Sequence, residues 1–249
     1  MNFLMVLFLY FIYCMIGWVW ETTYESIRGK KFVNRGFLNG PYIPIYGFGG
    51  VAILLFLQRF EAPLLSFRTV QIYFAGTIGA TIMEYVTSYV LEKVLKARWW
   101  DYSDYRFNLN GRICLIASIF WGVVAVAAID IINPFLQGFY AGLSHDAVLI
   151  FVSVMSTLFV VDIAVTVNSI LDLQNRLQLL LVLEKDRVSE AFGDRFKGLE
   201  KYRERLTAIG NPFTKRILTS FPNMKFTSET VQTVFNKLKK LRRKDKGDN

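Results

Sequence analysis

Long apolar runs alternate with short polar segments along the first two thirds of the chain. A helix needs roughly 20 consecutive apolar residues to cross the hydrocarbon core of a bilayer. Five runs reach or approach this length, at residues 3–20, 42–58, 70–91, 113–132 and 147–170. The first two are at the short end, and the second begins among prolines. The pattern predicts an all-α integral membrane domain over residues 1–170, with about five transmembrane helices.

The whole chain has a formal net charge of +9. Its positive charge is concentrated in the last third. Residues 1–170 hold 11 Lys and Arg against 10 Asp and Glu, whereas residues 171–249 hold 18 against 10. A basic segment beside a membrane span is typical of binding to anionic lipid or of topology control. We therefore predict a basic helical cytoplasmic tail over residues 171–249, with membrane lipids as partners and no nucleic acid.

Lys and Arg mark alternate loops between the apolar runs. The first loop (21–41) and the third (92–112) together carry nine of them, the second (59–69) carries two, and the fourth (133–146) carries none. Basic loops stay in the cytoplasm. The charges therefore predict a multi-pass protein of the bacterial inner membrane, with its N-terminus outside and its C-terminus inside.

The tail continues the fifth apolar run without a break. Apolar residues keep a three- and four-residue spacing, which predicts a helix that projects into the cytoplasm as far as about Ala208. Gly210 and Pro212 follow and end it. A second helix with one apolar face is expected near 228–242. This stripe could pair two tails as a coiled coil in a homodimer, or pack on the protein's own inner loops.

Two parts of the membrane domain resemble each other. Each has an Ile-Gly pair and then a glutamate in an inward helix, a basic aromatic loop, a Leu-Asn-Gly sequence and an outward apolar helix. The glutamates are Glu21 and Glu84, and the Leu-Asn-Gly sequences are 38–40 and 109–111. Both parts run in the same direction. This internal repeat predicts two parallel two-helix repeats, with the fifth helix outside them.

Ionisable residues inside the spans are the main functional candidates, because a charge at the bilayer centre costs roughly 2.5–3.5 kcal/mol on insertion scales. Glu21, Glu84 and Asp162 lie toward the predicted cytoplasmic ends of their helices. Arg35 and Arg112 each flank a Leu-Asn-Gly sequence and are their expected partners. One interpretation is a cytoplasm-facing polar cavity for a solute or an ion. The other is a buried ion network that holds the two repeats together.

Polar residues of the inner loops complete the candidate site. Asn39 and Asn110 could cap the helices that follow them and aim two helix N-termini at an anionic group. Tyr46, near the start of the second run, matches Trp121 in the repeat. Asp101 belongs to an aromatic and acidic segment that could cap the cavity, bind a lipid headgroup or anchor at the interface.

Glycine and proline are dense in the segment 36–50. Such backbone is tolerated at membrane depth only where protein or water satisfies its polar groups. The segment predicts either a re-entrant entry to the cavity or a tight turn whose glycines allow close helix packing.

Motifs for common enzyme chemistries are missing from the sequence. It contains no Gly-rich phosphate loop, no His-Glu-x-x-His and no Gly-x-Ser-x-Gly, and its single histidine, His145, falls in an outer loop. Cys14 and Cys114 lie in apolar runs without metal-ligand spacing and are expected to be buried thiols. The sequence thus predicts neither a cofactor nor a metal, and it favours a protein that is not an enzyme.

Residues 34–47 read NRGFLNGPYIPIYG. This segment resembles the signature loop of the ABC-transporter type IV family, the CmpB-like permeases. Four further segments fit the same pattern: Glu21, Trp-Asp-Tyr-Ser at 100–103, Asn-Gly-Arg-Ile at 110–113, and Trp-Gly at 121–122. Phe-Pro-Asn-Met at 221–224 is similar to members with a cytoplasmic extension. The resemblance covers most of residues 10–125. It implies a helical membrane permease, with a separate ATPase subunit as a possible partner.

Three functions are compatible with these features. The leading hypothesis is a permease-like protein that handles a small or lipid-like solute through a cytoplasm-facing cavity. The residues expected to line it are Glu21, Arg35, Asn39, Tyr46, Glu84, Asp101, Asn110, Arg112 and Asp162. The second hypothesis is a non-transporting scaffold or regulator that acts through the tail. The third is an enzyme that acts on lipid headgroups at the inner leaflet.

Overall fold

The computed structural model describes residues 2–57 and 67–190, together with 216, 220, 221, 224–228 and 232 of the tail. The helices are α1 (Phe3–Gly29), α2 (Pro44–Leu57), α3 (Phe67–Leu95), α4 (Leu115–Ala127), α5 (Asn133–Ala141) and α6 (His145–Glu190). The strands are β1 (Ala97–Arg98), β2 (Asn108–Leu109), β3 (Ile113–Cys114) and β4 (Lys225–Phe226), paired antiparallel as β1 with β4 and β2 with β3. The described residues form two compact units, one of residues up to Val90 with Trp100–Ile163, the other of Leu91–Trp99 with the residues after Ile163.

Three described stretches are long and apolar enough to cross a membrane, namely Phe3–Gly29, Leu115–Ala141 and His145–Leu171. The α2 helix is apolar but has only 14 residues, about 21 Å of helix, against a hydrocarbon core of about 30 Å. The α3 helix has 29 residues but mixes charged and polar side chains into its length. The mostly helical architecture is therefore as predicted, and three of the five predicted spans meet the length and composition of a membrane helix.

The first helix ends later than predicted. It continues from the expected end at residue 20 to Gly29, so the first nine residues of the predicted loop are helical. Lys30 terminates it in the left-handed conformation, with a φ of 48° and its N–H directed to the carbonyls of Ser26 and Ile27. The apolar run predicts only the part that a bilayer would cover. A helix needs no apolar residues to continue into water.

The segment 133–146, predicted as a loop, is also mostly helical. A π-helical turn over Ala128–Ile132 joins α4 directly to α5, and Pro134 lies in the first turn of α5. A proline inside a regular helix clashes with the carbonyl four residues earlier, and the wider π turn accommodates it. Ser144 then begins the return into α6, because its hydroxyl accepts a hydrogen bond from the N–H of Ala147 at 3.2 Å.

Glycines let α1 and α2 pack closely. A Cβ on Gly47 would overlap Cys14 Sγ and the ring of Tyr10, and one on Gly50 would overlap the ring of Tyr13. In the other direction, a Cβ on Gly17 would overlap Tyr46. Gly47 and Gly50 therefore fit the second interpretation of the segment 36–50, in which its glycines allow close helix packing.

Aromatic and aliphatic side chains from α1, α2, α5 and α6 form the largest described core of the first unit. Its buried members include Phe8 and Leu9 of α1, Leu54 of α2, Leu136 of α5 and Val152 of α6. A smaller cluster joins α3 to the α4 region. Farther along the same helices, Glu21 of α1 contacts Tyr46 at the start of α2, and Glu84 of α3 contacts Trp121 of α4.

The described tail residues of the second unit lie against the chain's own third loop. β4 pairs with β1, the N–H of Thr227 donates to the carbonyl of Lys96 at 3.0 Å, and the rings of Phe221 and Trp99 are 4.9 Å apart. The predicted helical course from 191 to Ala208 and the stripe at 228–242, apart from residues 228 and 232, lie outside the described residues. Pairing of two tails therefore stays a prediction.

Substituting Gly47 with alanine tests the close packing of α1 and α2. We expect Gly47→Ala to destabilise the protein by about 1–3 kcal/mol, because the added methyl overpacks against Cys14 and Tyr10. Thermal unfolding in detergent, followed by tryptophan fluorescence, measures the shift. Gly79→Ala is the matched control, since its Cβ meets no described atom within 4 Å. Equal melting temperatures for the two variants would contradict the packing account.

Candidate functional site

Asp162 of α6 holds the Asn-Gly-Pro-Tyr segment that precedes α2. One carboxylate oxygen accepts from the backbone N–H and the side-chain amide of Asn39, at 3.1 and 2.9 Å. The other accepts from the N–H of Gly40 at 2.7 Å and from the Tyr42 hydroxyl at 3.0 Å. Asp162 thus satisfies the polar backbone of an irregular segment.

Neither asparagine of the Leu-Asn-Gly sequences caps the helix that follows it. Asn39 donates to Asp162, and α2 begins only at Pro44. Asn110 donates to the Tyr85 hydroxyl at 3.1 Å, and the N-cap position of α4 is Cys114. The predicted caps are wrong because an N-cap residue must directly precede the helix, and additional residues intervene at both places.

Glu21, near the end of α1, forms an ion pair with Arg35. Its Oε2 lies 3.3 Å from Arg35 Nε, and its Oε1 accepts from the Tyr46 hydroxyl at 3.1 Å. The backbone N–H of Arg35 also donates to the Thr22 hydroxyl. Three predicted site residues are therefore in contact, and they join the end of α1 to the loop and to the start of α2.

Glu84 of α3 is 6% exposed and lies among aromatic donors. Its Oε1 accepts from the Tyr102 hydroxyl at 3.1 Å and its Oε2 from Trp121 Nε1 at 3.2 Å. Burial, and then the nearby Glu84, raise the pKa of Tyr102, which keeps this phenol protonated as a donor. Both donors are neutral, in contrast to the guanidinium beside Glu21.

Aromatic contacts connect the two glutamate clusters. The rings of Tyr46 and Trp121 are 5.4 Å apart, and each of these residues donates to its own glutamate. Glu21, Tyr46, Trp121, Glu84 and Tyr102 therefore form one continuous cluster within the first unit.

Arg112 is buried among tyrosines of α3. Its guanidinium lies 5.6 Å from the ring centre of Tyr85 and 5.4 Å from that of Tyr89, and it donates to the Ser88 hydroxyl at 3.3 Å. Contacts of this kind stabilise a cation through the negative face of the ring. The position of Arg112 fixes the end of the third loop against α3.

Asp101 takes part in a local turn. Its carboxylate accepts from the backbone N–H of Ser103 at 3.1 Å and from the Ser103 hydroxyl at 2.5 Å. Trp100 Nε1 donates to the carbonyl of Arg112 at 2.9 Å, and the N–H of Tyr102 donates to the carbonyl of Gly111 at 2.8 Å. The turn and these bonds order the third loop and bring Tyr102 to Glu84.

A cavity of about 350 Å³ lies among α1, α2, α3 and α4. Its polar end contains Glu84, Tyr46, Trp20 and Trp121, and its walls are otherwise apolar. The remaining described lining residues are Tyr13, Ile16, Gly17, Ile45, Gly49, Gly50, Ile53, Ala80, Met83, Phe120, Val123, Val124, Ala127, Ala128 and Ile132. From Phe120 to Ile132 it follows the fourth helix for about 18 Å. Tyr46 and Glu84 are the predicted site residues that line it.

The sequence singled out Tyr102 only as a member of the aromatic and acidic segment, and Trp121 only by its place in the repeat and the family pattern, yet both contact Glu84. The position of Trp121 before a glycine, matching Tyr46, was the available signal for the second of them. Tyr42, which donates to Asp162, was likewise noted only within the signature segment. Which hydroxyl or indole donates to which carboxylate depends on pairing between distant segments.

A model of the family described as Putative ABC-transporter type IV matches residues 8–167. The match includes all nine predicted site residues and every described residue that lines the cavity. No curated protein and no solved structure matches the chain.

Replacing Asp162 with asparagine tests its role in holding the segment before α2. We expect the amides of Asn39 and Gly40 to exchange hydrogen at least about tenfold faster in Asp162→Asn, because a hydrogen bond to a charged group contributes roughly 1.5–3 kcal/mol. Hydrogen exchange with mass spectrometry of peptides covering these amides measures the change. Asp146→Asn, at an exposed position on the same helix, is the control. Unchanged exchange would show that the segment is ordered without Asp162.

Proposed function

The chain belongs to the ABC-transporter type IV family, and we propose that it is a permease-like membrane protein that carries a lipid-like solute. The cavity is the observation that carries this proposal. It is apolar along most of its length and has the one carboxyl group of its described lining, that of Glu84, at one end. Binding sites for amphipathic molecules have this distribution, with apolar walls and a few placed polar groups.

The edge of the cavity favours a solute that enters from the bilayer. Four of its lining side chains, Trp20, Phe120, Val123 and Ile16, are each more than a third exposed. Large exposed apolar side chains around a cavity mark a binding surface or contact with lipid. The rings of Trp20 and Phe120 stack at 6.3 Å, on α1 and α4 respectively. A lipid-like molecule would reach the cavity beside this pair.

The topology that we propose is the one expected from the loop charges. Five helices would cross the bacterial inner membrane, with the N-terminus outside, the C-terminus inside, residues 1–170 as the membrane domain and 171–249 as the cytoplasmic tail. Two features support it. The three stretches with the length and composition of spans belong to this set. Arg68 at the start of α3 and Asp130 at the far end of the α4 region form an ion pair at 2.7 Å, which aligns those two helix ends.

We also propose that α1 with α2 and α3 with α4 are parallel repeats. In each pair, a glutamate on the first helix accepts a hydrogen bond from the aromatic residue before a glycine on the second. Tyr46 donates to Glu21, and Trp121 donates to Glu84. This matched contact supports the repeat independently of the Leu-Asn-Gly similarity.

The polar residues would divide between the two roles that the sequence left open. Glu84 and Tyr46 would contact the solute, since both line the cavity. The others would hold the inner loops: Glu21, Arg35, Asn39 and Asp162 hold the first, and Asp101, Asn110 and Arg112 hold the third. A separate ATPase subunit would make the transfer directional, because the family description names an ABC transporter and the sequence has no phosphate-binding loop. Without it, the protein alone would let the solute equilibrate between the two leaflets.

Filling the cavity tests the proposed function. The purified protein is reconstituted in phosphatidylcholine vesicles that contain NBD-labelled phosphatidylcholine, and dithionite measures the transfer of label between leaflets. We expect the protein to accelerate this transfer above the rate of protein-free vesicles. Ala80→Phe places a ring in the cavity and should remove most of the acceleration.

The matched control is Ala147→Phe, which adds the same ring at an exposed position on α6. It should leave the transfer rate unchanged. A rate equal to that of protein-free vesicles, or one that Ala80→Phe and Ala147→Phe affect alike, would contradict transport through the cavity.

A further inference from the structure

The two equivalent glutamates differ in how their charge is balanced. Glu21 has the guanidinium of Arg35 at 3.3 Å. Glu84 is less exposed to solvent than Glu21, and among the described residues its hydrogen-bond partners are the neutral groups of Tyr102 and Trp121. A buried carboxylate is stable only when a positive charge or enough donors replace water. Of the two glutamates, only Glu84 lines the cavity, so a ligand can supply the missing charge there.

Aromatic side chains surround the same end of the cavity. Trp20, Tyr46, Phe120 and Trp121 all line it, and the ring pairs Trp20–Phe120 and Tyr46–Trp121 are 6.3 and 5.4 Å apart. The negative faces of such rings attract cations, most strongly where water is excluded. The Glu84 carboxylate and the aromatic rings therefore both favour a positively charged ligand group. An anionic headgroup would be repelled at this end.

The remaining walls select an apolar body attached to that charge. Beyond the aromatic end, the described lining is mostly aliphatic and small, with Ala80, Val124, Ala127 and Ile132 among its members, and Tyr13 is the aromatic residue there. We infer that the cavity binds amphipathic cations, with the ammonium or similar group against Glu84 and the apolar chain directed toward Ile132. This inference rests on the proposed function and names the class of its solute.

Two detergent-like molecules that differ mainly in charge test the inference. Dodecyltrimethylammonium is cationic, and dodecyldimethylamine oxide is a neutral molecule of nearly the same shape at pH 8. Each is titrated, below its micellar concentration, into the protein in phosphatidylcholine nanodiscs. The saturable change in tryptophan emission reports binding, because Trp20 and Trp121 line the cavity. We expect the cation to bind at least about tenfold more tightly than the amine oxide.

Glu84→Gln should reduce this preference to less than about twofold while the amine oxide still binds, because the amide keeps the size but loses the charge. Glu92→Gln makes the same exchange on the same helix outside the cavity lining and should keep the preference. Should Glu84→Gln not fold, the ratio measured for the unsubstituted protein decides the question.

The outcomes separate the two proposals. Equal binding of both probes would overturn the inference and leave a neutral, lipid-like solute as the proposed one. A cation preference that survives in Glu84→Gln would also overturn it, because the selectivity would then come from another group. Absence of saturable binding by either probe would overturn both the inference and the cavity as a solute site.

Discussion

Carboxyl groups on apolar helices constrain this structure, since each must find its partners within the protein. Asp162 takes its donors from the segment before α2, Glu21 from Arg35 and Tyr46, and Glu84 from Tyr102 and Trp121. Without water, an unsatisfied group would be strongly destabilising. The hydrogen bonds of these carboxyl groups therefore determine where the first and third loops lie, and the loops in turn determine which side chains reach the cavity.

The cavity follows from the same arrangement. Glycines bring α1 against α2, and the aromatic residues that precede Gly47 and Gly122 donate to the two glutamates. This leaves an apolar space beside α4, with Glu84 at one end. We propose that the difference between the two repeats is functional. The first repeat, α1 with α2, balances its glutamate through Arg35, and the second, α3 with α4, presents its glutamate to the cavity.

The sequence predicted the helices well, because length and hydropathy are local properties. It predicted their ends less well: α1 continues past its apolar run to Gly29, and a π-helical turn carries the fourth helix past Pro134. The pairing of Glu21 with Arg35 was expected from their positions. The role of Asp162 was not, because its partners lie about 120 residues away in sequence. Arg112 lies on tyrosine rings, a contact that charge alone does not predict.

A cryo-EM structure of the protein in nanodiscs with dodecyltrimethylammonium tests the central claim most directly. We expect elongated density for dodecyltrimethylammonium along α4. Its headgroup should lie within contact distance of the Glu84 carboxylate and beside the rings of Trp20 and Trp121. A cavity that stays closed and empty at saturating ligand, with Glu84 bonded only to Tyr102 and Trp121, would contradict it. In that case the glutamates would serve to hold the helices together.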